Sequence, residues 1–68
     1  MNWLELIKQL RNKMLITQSE LAEEIGVTFA TVNRYENGWF EPTMKIKRKL
    51  MRLFKIYGIV ESDTNYGK

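Results

Sequence analysis

The residues able to do chemistry in this chain form a narrow set. There is no histidine and no cysteine, so the usual general base, the thiolate nucleophile and the commonest metal ligands are missing. Serines, threonines and carboxylates are present, but they assemble into no recognisable nucleophile–base set. Glu23 and Glu24 are adjacent, and neighbours on a helix splay apart instead of sharing a proton. What the chain does concentrate is positive charge. From Glu41 to Ile59 it carries Lys45, Lys47, Arg48, Lys49, Arg52 and Lys55 against Glu41 alone. From Met1 to Phe40, Lys8, Arg11, Lys13 and Arg34 are opposed by Glu5, Glu20, Glu23, Glu24 and Glu36. A net charge of +3 placed this way points to a polyanion near the C-terminal half, nucleic acid first and a membrane surface second. An enzyme is not expected, and neither is a cofactor or a metal.

The elements that must position these groups are all helical. Trp3, Leu4, Ile7, Leu10, Arg11 and Met14 recur at helical spacing, so residues 3 to about 13 read as an amphipathic helix, with Met14-Leu15-Ile16 packing as the chain turns. Thr17-Gln18-Ser19-Glu20 has the form of a capping box, in which the threonine and the glutamate each satisfy the other's free N–H. The helix it opens carries Leu21, Ala22 and Ile25 inward, and Gly26 supplies the left-handed residue that stops it. Val27 fills the turn, and Thr28 caps the next helix, from Phe29 to about Glu36, with Val32 and Tyr35 inward. Asn37-Gly38 ends it, and a loop through Trp39-Phe40-Glu41-Pro42 follows. Thr43 then caps a helix whose Ile46, Leu50, Leu53, Phe54 and Tyr57 share one face, ending at Gly58. One domain over residues 1–60 is expected, with a flexible tail over 61–68. No stretch approaches the roughly 20 apolar residues of a membrane span. Met1-Asn2-Trp3-Leu4-Glu5 also lacks the order of a signal peptide, so a cytoplasmic protein is expected.

Two helices joined only by Gly26-Val27-Thr28 make a helix-turn-helix unit, because so short a joint sets them at a steep angle. Ala22 is small enough for close approach, Gly26 gives backbone freedom, Val27 plugs the turn and Val32 closes the core. The run Thr17-Gln18-Ser19-Glu20-Leu21-Ala22-Glu23-Glu24-Ile25-Gly26-Val27, continued by Val32-Asn33-Arg34-Tyr35-Glu36-Asn37-Gly38, resembles the Cro/C1-type (Xre-family) helix-turn-helix domains of phage repressors and bacterial regulators. Its strongest marker is Tyr35-Glu36-Asn37-Gly38, at the place of that family's W/Y/L-E-N-G ending. The resemblance covers about residues 4 to 54. It departs at the end, where the family has a short fourth helix and then a fifth, while residues 43 to 57 read as one longer helix.

The resemblance implies an all-α, lambda-repressor-like compact bundle of four helices, or five if the last one divides. It also implies sequence-specific binding of double-stranded DNA by a transcriptional regulator, a repressor foremost. The helix 29–37 would enter the major groove and expose Phe29, Ala30, Asn33 and Arg34 to base edges. Arg34 has the planar fork that matches guanine, the amide of Asn33 suits adenine or a phosphate, and Phe29 and Ala30 could touch a thymine methyl. The rival reading of Arg34 is a solvated helix charge, and that of Phe29 is partial core packing. Phosphate contacts would come from Thr17, Gln18, Thr28, Thr31, Asn37, Gly38, Thr43, Lys45 and Lys47, with Thr17 mainly a cap and the N–H groups of Asn37 and Gly38 offered to the backbone. Basic residues beyond Arg48 are read as a solvated face. Arg11 and Glu36 are expected to form a largely buried ion pair, a structural role. Of Trp39 and Phe40, one would pack on the core and the other lean on the sugar-phosphate wall. A homodimer on a palindromic operator is expected, with a dimer surface hinted at by Tyr57, Ile59 and Val60. The alternative is a protein-interaction adaptor or antitoxin-like partner on the same fold.

Overall fold

The computed structural model describes residues 2–60; the tail expected over 61–68 lies outside the described residues. Four helices follow one another: α1 (Trp3–Met14), α2 (Gln18–Ile25), α3 (Phe29–Glu36) and α4 (Met44–Tyr57). No strand occurs among the described residues. The last helix is continuous over 14 residues, so the one longer helix read from residues 43 to 57 is found and does not divide.

The helix ends follow from local chemistry. At α2 the capping box is complete: Glu20 N–H donates to Thr17 Oγ1 at 3.1 Å, and Thr17 N–H donates to Glu20 Oε1 at 2.8 Å. Gly26, at φ 76°, ends the helix, and the next N–H, from Val27, donates back to Ala22 O at 2.9 Å. An added Cβ at Gly26 would be strained by that φ and would also meet Lys49 Nζ at 3.2 Å. Thr28 caps α3 by accepting from Thr31 N–H at 3.2 Å. Thr43 stands at the N-cap of α4, but its side chain makes no capping bond.

The first helix ends differently from the sequence expectation. Leu15 adopts the left-handed conformation at φ 59°. Its N–H donates to Asn12 O and that of Ile16 to Arg11 O, both at 3.2 Å, which is the Schellman pattern normally built on glycine. Leu15 therefore points outward and is 88% exposed. The turn packs through Met14 and Ile16 only.

All four helices contribute to one core: Leu6, Ile7 and Leu10 from α1, Leu21, Ala22 and Ile25 from α2, Val32 and Tyr35 from α3, and Ile46, Leu50 and Phe54 from α4. Each large aliphatic side chain buried in this way contributes about 1.5–3 kcal/mol. Leu53 packs at the edge, whereas Tyr57, which sequence spacing places on the same face, is exposed. Ile59 is also corrected. After Gly58 its N–H donates to Phe54 O at 2.8 Å, and its side chain turns back into the core, so it is unavailable as a dimer surface.

Candidate nucleic-acid interface

Helix α3 is divided lengthwise. Val32, Tyr35 and Glu36 are buried, while Phe29, Ala30 and Arg34 are exposed and Asn33 is half-buried. This follows from the helical repeat, which puts 32, 35 and 36 on one side and 29, 30, 33 and 34 on the other. Phe29 remains 52% exposed, so the inward reading of it fails. The exposed side combines an aromatic ring, a methyl group, an amide and a guanidinium, a set able to recognise base edges through both hydrogen bonds and apolar contact.

The helix N-termini differ in how many N–H groups they leave open. The first N–H groups of a helix have no intrahelical acceptor. At α2, Glu20 N–H is capped by Thr17, which leaves those of Gln18 and Ser19. At α3, Thr31 N–H is capped by Thr28, and the hydroxyls of Thr28 and Thr31 lie 2.9 Å apart. At α4 no side chain caps, and the first intrahelical bond runs from Lys47 N–H to Thr43 O at 2.8 Å. With exposed Lys45 in its first turn, the α4 terminus is the most receptive of the three to an anion.

Several of the expected phosphate contacts are already engaged elsewhere. Asn37 N–H donates to Asn33 O at 3.0 Å, and Gly38 N–H to Tyr35 O at 3.2 Å. The expectation that these two N–H groups stand open to a phosphate is therefore overturned: they close the end of α3. Lys47 Nζ pairs with Glu41 Oε1 at 2.9 Å and lies 5.3 Å from the centre of the Trp3 ring, which ties it to the flank of α1. Lys49 donates to Ile25 O at 3.3 Å, placing a cation at the C-terminus of α2, where the helix dipole favours it. It is thus not part of a solvated face. Phe40 packs edge-on against Tyr35, centroids 5.7 Å apart, and Trp39 is 76% exposed.

Behind the face, Arg11 Nε donates to Glu36 Oε2 at 2.8 Å and Nη2 to Oε1 at 3.1 Å. Arg11 Nη1 also reaches Ile16 O at 3.3 Å. Burial of Glu36 pushes its carboxyl up, but hydrogen bonds from Arg11 and Gln18 and the charges of Arg11 and Lys8 outweigh that and leave it below its ordinary value. This fork–fork pair joins α1 to the buried side of α3. The contact that sequence reasoning missed is Gln18. Its Nε2 donates to Glu36 Oε1 at 3.0 Å, and its Oε1 accepts from Asn33 Nδ2 at 3.3 Å. No spacing rule finds this, because residues 18, 33 and 36 meet only once α2 and α3 have packed.

A family profile described as Helix-turn-helix matches residues 7–60. The chain belongs to the helix-turn-helix family, of the Cro/C1 type. Among its relatives is a protein of Archaeoglobus fulgidus, 40% identical over 48 residues, which are 71% of this chain and 68% of that protein. Another, from Methanothermobacter thermautotrophicus, is 36% identical over 47 residues, 69% of this chain and 68% of its own length. A second Archaeoglobus fulgidus protein is 35% identical over 48 residues, 71% and 69% of the two chains. All three are named as uncharacterized HTH-type transcriptional regulators. No solved structure matches the chain significantly. No helix among the described residues is long and apolar enough to cross a membrane.

Proposed function

We propose that this chain binds double-stranded DNA sequence-specifically and regulates transcription, with α3 lying in the major groove. The observation that carries this is the lengthwise division of α3: a sealed inner side, and an outer side presenting Phe29, Ala30, Asn33 and Arg34. Arg34 reads guanine, Asn33 reads adenine, and Phe29 and Ala30 contact thymine methyls. Phosphates are held by the open N–H groups at Gln18 and Ser19, by Thr28 and Thr31, and by Thr43 and Lys45 at the uncapped start of α4. The relatives' printed names favour the same activity. In this reading the protein is a cytoplasmic repressor that acts as a homodimer on a palindromic site. Exposed Ile56, Tyr57 and Val60, at the far end of α4, form the apolar surface for the second copy.

The test is selection from a randomised duplex pool at two salt concentrations. Enrichment of a short palindrome, weakening steeply with salt, is expected. Arg34→Ala should cost the cognate site about 1–3 kcal/mol and random duplex far less. An equal loss on both would reduce Arg34 to a phosphate contact. Absence of binding at either salt would replace the reading with a protein-interaction adaptor.

A further inference from the structure

A run of side-chain hydrogen bonds leads from α1 to the outer side of α3, and its direction is fixed at both ends by groups of unambiguous polarity. At one end, Asn37 Nδ2 lies 2.8 Å from the backbone oxygen of Asn33. A carbonyl oxygen only accepts, so the Asn37 atom there is nitrogen. The same nitrogen lies 3.1 Å from Asn33 Oδ1, which must be the oxygen of that amide. The nitrogen of Asn33 is then the atom 3.3 Å from Gln18 Oε1. At the other end stands the Glu36 carboxylate, held ionised by Arg11. A carboxylate also only accepts, so the Gln18 atom 3.0 Å from it is nitrogen. The two deductions start from opposite ends and agree at Gln18. Turning over any one of the three amides would face donor with donor or oxygen with oxygen.

These bonds do not exhaust Asn33. A primary amide has two N–H donors and two oxygen lone pairs, so one of each remains. A lone pair beside an N–H matches adenine, whose major-groove edge offers an N6 donor next to an N7 acceptor. Guanine offers O6 and N7, both acceptors, and would meet the Asn33 oxygen with another oxygen.

We propose that Gln18 is a positioning residue for base recognition: locked between Glu36 and Asn33, it holds the Asn33 amide in the orientation that accepts adenine and rejects guanine. The Arg11–Glu36 pair thereby contributes to base preference although neither side chain reaches a base. The inference rests on the proposed function above.

The full chain, Gln18→Met, Gln18→Leu and Asn33→Ala are each put through the duplex selection. The wild type should enrich adenine at one position of each half-site, and Asn33→Ala should lose that position alone. Gln18→Met should lower the adenine-over-guanine ratio there by about tenfold, the size of one good bidentate contact, with the other positions unchanged. Gln18→Leu removes the same two polar atoms and provides the reading should the methionine variant fail to fold. Undiminished adenine preference in a folded Gln18 variant overturns the proposal, as does a uniform loss at every position, which a purely structural role would give. A wild type that enriches no sequence overturns the proposed function itself, an outcome distinct from both.

Discussion

Two ion pairs of nearly equal length tie this molecule together, and length says little about their worth. Arg11–Glu36 closes at 2.8 Å and Lys47–Glu41 at 2.9 Å. Glu36 is 5% exposed and Glu41 66%. The first pair is forked, carries a third donor from Gln18 and joins two helices through residues 25 apart in sequence. The second is a single contact across six residues. An exposed pair is screened by water and costs side-chain entropy to hold. A buried one leaves an uncompensated charge when broken. Burial and the number of donors, not distance, separate them.

The sharpest way to break the comparison is to remove one side of the buried pair. Glu36→Ala should cost about 3 kcal/mol in denaturant unfolding, while Arg11→Met with Glu36→Leu together should cost less than either change alone. A cycle without coupling would put both pairs in the same class. Acid should find the same carboxylate. Because the folded state holds Glu36 below its ordinary value, its contribution is complete above that ordinary value. It is lost as pH falls through the folded one, so melting temperature should drop from about pH 5 downward. Glu36→Gln should flatten that acid limb relative to wild type.

Leu15 gives a smaller effect of opposite sign. Its left-handed turn presents the Ile16 carbonyl to Arg11, and a non-glycine residue there costs about 1–2 kcal/mol. Leu15→Gly should raise stability by about 0.5–1 kcal/mol, since glycine's freer unfolded chain offsets part of the relief. The ion pair stays in place, and a loss of stability would show that the leucine packs usefully. Smallest of all, Glu41→Gln should shift unfolding by less than about 0.5 kcal/mol, and added salt should erase even that.

Legibility in the sequence tracks the range of the interaction. The starts of α2 and α3 could be read because Thr17, Glu20 and Thr28 act within one turn, and the ends at Gly26 and Gly58 because glycine marks a left-handed residue directly. Leu15 carries no such mark, so its turn was unreadable. The outward set on α3 came from helical phase alone, with Phe29 left open until burial decided it. Lys49 reads from sequence as one of several surface cations; only the packing of α4 on α2 brings it to the Ile25 carbonyl. The N–H groups of Asn37 and Gly38 read from sequence as open, whereas the end of α3 closes over them through the carbonyls of Asn33 and Tyr35. Gln18 was recognisable as a residue at a helix start, but not as the joint between Glu36 and Asn33.

Ile59 has a consequence for where this domain can be cut. Packing does not stop where the last helix stops: two residues after Tyr57, the Ile59 N–H is bonded to Phe54 O and its side chain is back in the core. A truncation at Tyr57 would preserve every helix and still uncork the core.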